Sequence, residues 1–169
     1  MSVKDGILFG EKVSMAVVKG VEDRVPFKAK IKAKLIHPDG TEEFFEFDNT
    51  LTELGEALIA DALSDRSVAL MTHMAVGSGT GQDAADTTLA TELARVALDS
   101  TTQGSAGNDN DVTWIATFAA GTGTGAITEA GLFNATPAGT MFSVTSFAVI
   151  NKGAADVLIF SWTLTCGLS

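Results

Sequence analysis

From Phe27 to Leu35 apolar and basic residues alternate without interruption, with Phe27, Ala29, Ile31, Ala33 and Leu35 on one side and Lys28, Lys30, Lys32 and Lys34 on the other. This period of two predicts a half-buried strand whose lysines face water. His37-Pro38-Asp39-Gly40 follows with turn chemistry: proline fixes φ at the second position, and glycine is unrestricted at the fourth. A hairpin is therefore expected over residues 27–48. Its second strand, Thr41 to Asp48, carries Glu42, Glu43, Glu46 and Asp48 toward the lysine row. Such cross-strand pairs are worth roughly a few tenths of a kcal/mol each, so they set register more than stability.

Further along, Leu54, Leu58, Ala62 and Leu63 share one helical face, predicting an amphipathic helix over 52–64. Thr50 and Glu53 have capping-box spacing, and Thr52 is a rival N-cap. Gly55 costs about 1 kcal/mol against alanine inside a helix, which suggests that another segment passes close there. Residues 70–166 then read as the main body. Leu70 to Val76 is an expected strand, Asp86 to Arg95 a short helix or turn with Leu89 and Leu93 inward, and residues 95–101, 112–119, 126–133, 140–150 and 156–166 further strands between Gly, Asn and Asp clusters. In the last strand Leu158, Phe160, Trp162 and Leu164 form the better core row. The expected fold is mainly β, an antiparallel β-sandwich or jelly-roll-like body over 27–169 with one or two short helices. Residues 1–26, where only Val13, Met15 and Val17 alternate, are read as an extended N-terminal arm.

Composition narrows the function. At 169 residues and 46% apolar the chain can bury one core. No apolar run approaches a membrane span, and the N-terminus lacks the charge and apolar pattern of a signal peptide, so a soluble protein made in the cytoplasm is expected. A net charge of −10 argues against a nucleic-acid surface, yet eight of eleven basic side chains lie in residues 1–40 against five acids. That leaves three basic and sixteen acidic side chains, −13, for the rest. Lys4, Lys12, Lys19, Lys28, Lys30, Lys32 and Lys34 are accordingly the candidate partner-binding residues.

Candidate chemistry is sparse. Gly77-Ser78-Gly79-Thr80-Gly81 and Gly121-Thr122-Gly123-Thr124-Gly125 lack the spacing of a dinucleotide loop and the terminal Lys of a P-loop, so they read as turn glycines able to take positive φ. His37 sits in a predicted turn and His73 in an apolar stretch; no nucleophile elbow accompanies them. Cys166 has no catalytic signature and no disulfide partner within the chain. Asn108-Asp109-Asn110-Asp111 offers oxygen ligands without EF-hand spacing and reads as a polar loop. No catalytic, cofactor-binding or metal residues are assigned, and no enzyme activity is expected. Arg95 and Glu129, each set among apolar or small residues, would need partners if buried, and they are expected to pair with each other.

Several of these residues recur in a fixed order: Asn49-x-Leu51-Thr52-x-x-Gly55, then Val76-Gly77-Ser78-Gly79-Thr80, Thr88-Leu89, Glu92 and Arg95, then Glu129-x-Gly131-Leu132-Phe133, then the strands around Phe147 to Trp162. This order, over residues 40–166, resembles a family of structural proteins of tailed-bacteriophage virions. The resemblance implies a β-rich module in a symmetric assembly, with no catalytic residues to carry over. Its first implication is a capsid decoration (cement) protein, a homo-oligomer and most simply a trimer, bound to the major capsid protein. Its alternative is a tail, neck or tail-fibre attachment subunit contacting tail proteins. Coiled-coil heptads and a repetitive shaft are absent, which disfavours a fibre shaft itself. A carbohydrate-binding module is a third reading, disfavoured because Trp114 and Trp162 both fall in expected core strands.

Overall fold

A computed structural model describes residues 27–64, 66–105, 107 and 109–167. The expected arm at 1–26, with its short strand and with Lys4, Lys12 and Lys19, lies outside the described residues.

The lysine-faced strand forms as expected: β1 (Phe27–Ile36) turns through residues 37–41 into β2 (Glu42–Asp48). The turn closes through His37 N–H to the Thr41 carbonyl, and Gly40 takes φ +85°. β3 (Thr50–Leu51) leads directly into α1 (Glu53–Leu63). Thr52 is the N-cap, its hydroxyl accepting from Gly55 N–H at 2.9 Å, so the expected Thr50 box gives way because Thr50 is already committed to a strand. Gly55 is glycine for the expected reason: a Cβ there would collide with the Phe142 carbonyl oxygen.

The remaining strands are β4 (His73–Gly77), β5 (Glu92–Ala97), β6 (Ser100–Gln103), β7 (Asp111–Phe118), β8 (Gly125–Phe133), β9 (Met141–Lys152) and β10 (Val157–Cys166). They assemble into two five-stranded antiparallel sheets, ordered β2-β1-β10-β7-β6 and β3-β9-β8-β4-β5. The fold is thus the expected β-sandwich. Its core lies between the sheets, where Ile31, Leu35, Phe118, Phe160 and Trp162 from the first meet Met74, Val76, Ile127, Leu132 and Ile150 from the second. The row Leu158, Phe160, Trp162 and Leu164 is buried throughout.

Two expectations change. The segment 95–101 is not one strand: it divides between β5 and β6, which lie in different sheets, and Asp99 marks the crossing by donating its N–H to Ile115 and accepting from the Thr117 hydroxyl. Of the helix or turn expected at 86–95 no helix forms: the chain bends through residues 87–91 and enters β5 at Glu92, with Leu89 inward as expected but Leu93 exposed. Asp83 and Asp86 bond nearby backbone N–H groups, Asp86 that of Asp83 at 2.7 Å and Asp83 that of Ala85 at 2.8 Å, and such local bonds compete with a helix. Residues 78–91 instead run as a loop over the outer face of the second sheet. There Leu89 joins Ala75, Phe133, Met141 and Val144 in a second, smaller core.

Candidate functional site

Antiparallel pairing of β4 with β8 brings the two principal motifs together, with Val76 opposite Ala130 and Gly77 opposite Glu129. Glu129 is fully buried. Its carboxylate accepts three backbone N–H bonds: Gly79 at 2.9 Å and Thr91 at 2.8 Å to Oε1, and Ala90 at 3.0 Å to Oε2. Both ends of the 78–91 loop are therefore tied to one side chain. Backbone donors satisfy a carboxylate without bringing in a second buried charge.

The motif residues around it supply the space. A Cβ on Gly77 would strike both Glu129 Oε1 and the Thr91 carbonyl, and one on Gly79 would lie 2.5 Å from the Ala90 Cβ and 2.6 Å from Glu129 Oε1. These two glycines are thus required for close approach, whereas the expected positive φ occurs in that run at Gly81 and, in the second run, at Gly121, Gly123 and Gly125. The Thr128 hydroxyl donates to the Gly79 carbonyl at 2.6 Å. Leu89 sits over Gly131, where a Cβ would come within 3.2 Å of its Cδ2 and 2.9 Å of the Phe133 ring.

Arg95 does not pair with Glu129. The ladder sets Arg95 level with Ala75 and Gly131, but Glu129 level with Gly77, so the guanidinium reaches different neighbours. It lies 3.6 Å from the centroid of the Phe133 ring, forks onto Glu92 at 2.6 and 3.2 Å, and donates to the Ala135 carbonyl at 2.9 Å. Glu92, three residues away, and Phe133 both stand in the motifs, though nothing there joins either to Arg95; the loop carbonyl carried no signal in the sequence.

The lysine row meets the acids of β2 as expected: Lys34 pairs with Glu42 at 2.6 Å, and Lys30 pairs with Glu46. The Glu46 partner raises the Lys30 pKa, and Lys30 in turn lowers that of Glu46. Two of the four described lysines proposed for a partner are thus engaged within the hairpin, while Lys28 and Lys32 are exposed.

A second polar cluster escaped the sequence reading. His37 Nδ1 lies 3.0 Å from Asp156 and Nε2 lies 2.8 Å from Glu43, joining the β1–β2 turn to the β9–β10 turn. Carboxylates can only accept, so both contacts are hydrogen bonds together only when both ring nitrogens carry a proton, which favours the cationic imidazole. Glu43 first, then Asp156, raises the His37 pKa. Gly153 N–H, ahead of His37, lowers that of Asp156. Nearby Lys152 is buried, donates to the Ala119 carbonyl at 3.0 Å, and has its pKa lowered by burial.

The other candidate positions take structural contacts. Asn110 donates its amide to the Cys166 carbonyl, and Cys166 N–H donates back to Asn110; Asn108 of that loop lies outside the described residues. Burial, then the Asp111 charge, pushes the Cys166 thiol pKa up, away from a reactive thiolate. His73 Nδ1 pairs with the Thr72 hydroxyl. Trp114 and Trp162 are buried, so neither offers a stacking platform for sugars. Among the described residues no group of three His, Cys, Asp or Glu side chains is placed to hold a metal ion, and no helix is long and apolar enough to cross a membrane.

Fold and cluster together define an architectural β-sandwich, in which the most tightly specified residues hold a loop to a sheet. The model of the phage tail-collar fibre protein N-terminal family matches residues 45–164, well over half of the chain, and the chain belongs to that family. It is therefore a phage virion structural protein of the tail-associated class. The match supports the tail expectation and gives none to capsid decoration. No curated protein and no solved structure matches the chain.

Proposed function

We propose that the protein is a non-catalytic attachment subunit of the phage tail, a rigid adaptor through which a fibre or neck component is held. The observation that carries this reading is the tail-collar fibre family match, which spans the Glu129 cluster, the whole second sheet, and β6, β7 and most of β10 in the first. The geometry of that cluster is in keeping with it. A buried carboxylate that ties a 14-residue loop, residues 78–91, to the sheet through backbone donors gives a stiff surface rather than a reacting centre. Tail proteins and further copies of the chain are its proposed partners. Exposed Lys28 and Lys32 on the outer face of the first sheet are the proposed contact residues in the described body. The trimer is retained as the proposed assembly.

Immunogold labelling of intact particles with antibody to the folded body tests the location. Label confined to the tail or neck is expected, and label spread over the capsid would refute the adaptor reading. Mass measurement of the free protein tests the assembly, and a monomer at micromolar concentration would remove the trimer.

A further inference from the structure

Among the described residues, nothing closes the sandwich at the end where β1 begins. Phe27 continues the inner row of Ile31 and Leu35, yet it is 40% exposed. Across the sheet, Cys166 opposite Phe27 and Val112 on β7 are only half-buried. Beside them lies a cavity of about 320 Å³ between α1, residues 68–71 and the strands β6, β7 and β9, walled by Leu58, Met71, Val112, Trp114 and Phe142. Leu70 at its lip is 77% exposed. An apolar opening of this kind is an unfinished core edge rather than a polar ligand site.

Chain direction decides what stands nearest. β1 is antiparallel to β10, so it starts with Phe27 beside Cys166, and Val112 is two strand spacings and two residues away, roughly 12 Å. Residues 1–26 carry two apolar runs, Ile7-Leu8-Phe9 and Met15-Ala16-Val17-Val18, the second preceded by Val13. The intervening residues 19–26 span up to roughly 26 Å when extended, twice the reach required. A tether this short corresponds to an effective concentration on the order of millimolar at the opening, far above that of any second copy.

We propose that residues 7–18 of the same chain dock in this cavity, their apolar side chains completing the core at the open end of the sandwich. The location of the protein in the particle has no bearing on this, and the test uses the full chain. In a Cys166→Ser background, Leu70→Cys is combined in turn with Leu8→Cys, Phe9→Cys, Val13→Cys, Met15→Cys and Val17→Cys. Thr124→Cys, exposed in the turn between β7 and β8, replaces Leu70→Cys as the reference. After mild oxidation at low protein concentration, at least one segment position should link to position 70 within the chain about tenfold more than to position 124. Replacing the other apolar run with serine (Ile7→Ser, Leu8→Ser and Phe9→Ser for the position-15 pair) separates docking from mere nearness. Those changes leave the described body untouched and should remove most of the excess. Equal linkage to 70 and 124, linkage only between chains, or an excess that survives the serine replacements would each overturn the proposal.

Discussion

Replacing Glu129 by glutamine changes one oxygen to an amide and leaves the shape intact. In the native protein Oε1 accepts from Gly79 and Thr91 and Oε2 accepts from Ala90. Glutamine's single oxygen can keep the first pair, but its NH2 then faces the Ala90 N–H, donor against donor, at a site with no solvent exposure. One buried donor left unsatisfied, together with the weakening of two bonds that lose their charge, gives a loss of about 2–4 kcal/mol. Alanine would orphan all three donors and open a cavity, for about 4–6 kcal/mol, comparable with the whole stability of many domains. Urea unfolding followed by the emission of Trp114 and Trp162 measures both. Crossing Glu129→Gln with Arg95→Ala adds a specific check. Because the two side chains have separate partners, their losses should add to within about 0.5 kcal/mol. A Glu129→Gln variant as stable as the native chain would refute the backbone cradle, and a coupling above about 1 kcal/mol would restore the ion pair with Arg95.

Other substitutions test the neighbouring contacts. Arg95→Lys keeps the charge but loses the two-pronged bond to Glu92 and the packing on Phe133; a loss of about 1–2 kcal/mol by the same unfolding assay is expected, and no change would show that charge alone suffices. Gly55→Ala should destabilise despite alanine's helix preference of about 1 kcal/mol, since its Cβ meets the Phe142 carbonyl, and a raised melting temperature would contradict that collision. The His37 cluster predicts a pH dependence. With its pKa raised above the usual 6.5, His37 contributes fully below pH 6.5, and its contribution is lost as pH climbs through the folded value. Asp156, held below 3.8, contributes above pH 3.8 and is lost as pH falls through its folded value. Melting temperature should therefore be best supported between these limits and fall on the alkaline side. His37→Asn should flatten the alkaline fall, and an unchanged profile would dissociate the cluster from stability.

The parts of this fold that were legible in the sequence are those where a local period or a local turn decides the outcome. The Phe27–Leu35 alternation and the His37–Gly40 turn specify the first hairpin, and the Leu158–Leu164 row specifies the inner face of β10. The division of 95–101 between two sheets was hidden because the only local break, Asp99-Ser100, is short and lies between Val96 and Thr101, which favour strands; the bonds of Asp99 to Ile115 and Thr117 reveal the crossing. The Glu129 site was half legible. Its burial followed from the surrounding apolar residues, but its partners are main-chain groups, which any residue can supply. The one available signal was the pair Gly77 and Gly79, whose small size makes room for a carboxylate. His37 and Asp156 are 119 positions apart, and nothing near either residue points to the other.

Membership of the tail-collar fibre family makes this protein a tail-associated structural subunit. Cryo-electron microscopy of intact virions, with the 27–167 body fitted to the density and its copies counted against the major capsid protein, tests it most directly. The sandwich should stand at the tail or neck, in a number set by the tail's symmetry and small beside that of the capsid protein. Density for the body at repeated sites across the capsid surface would contradict it.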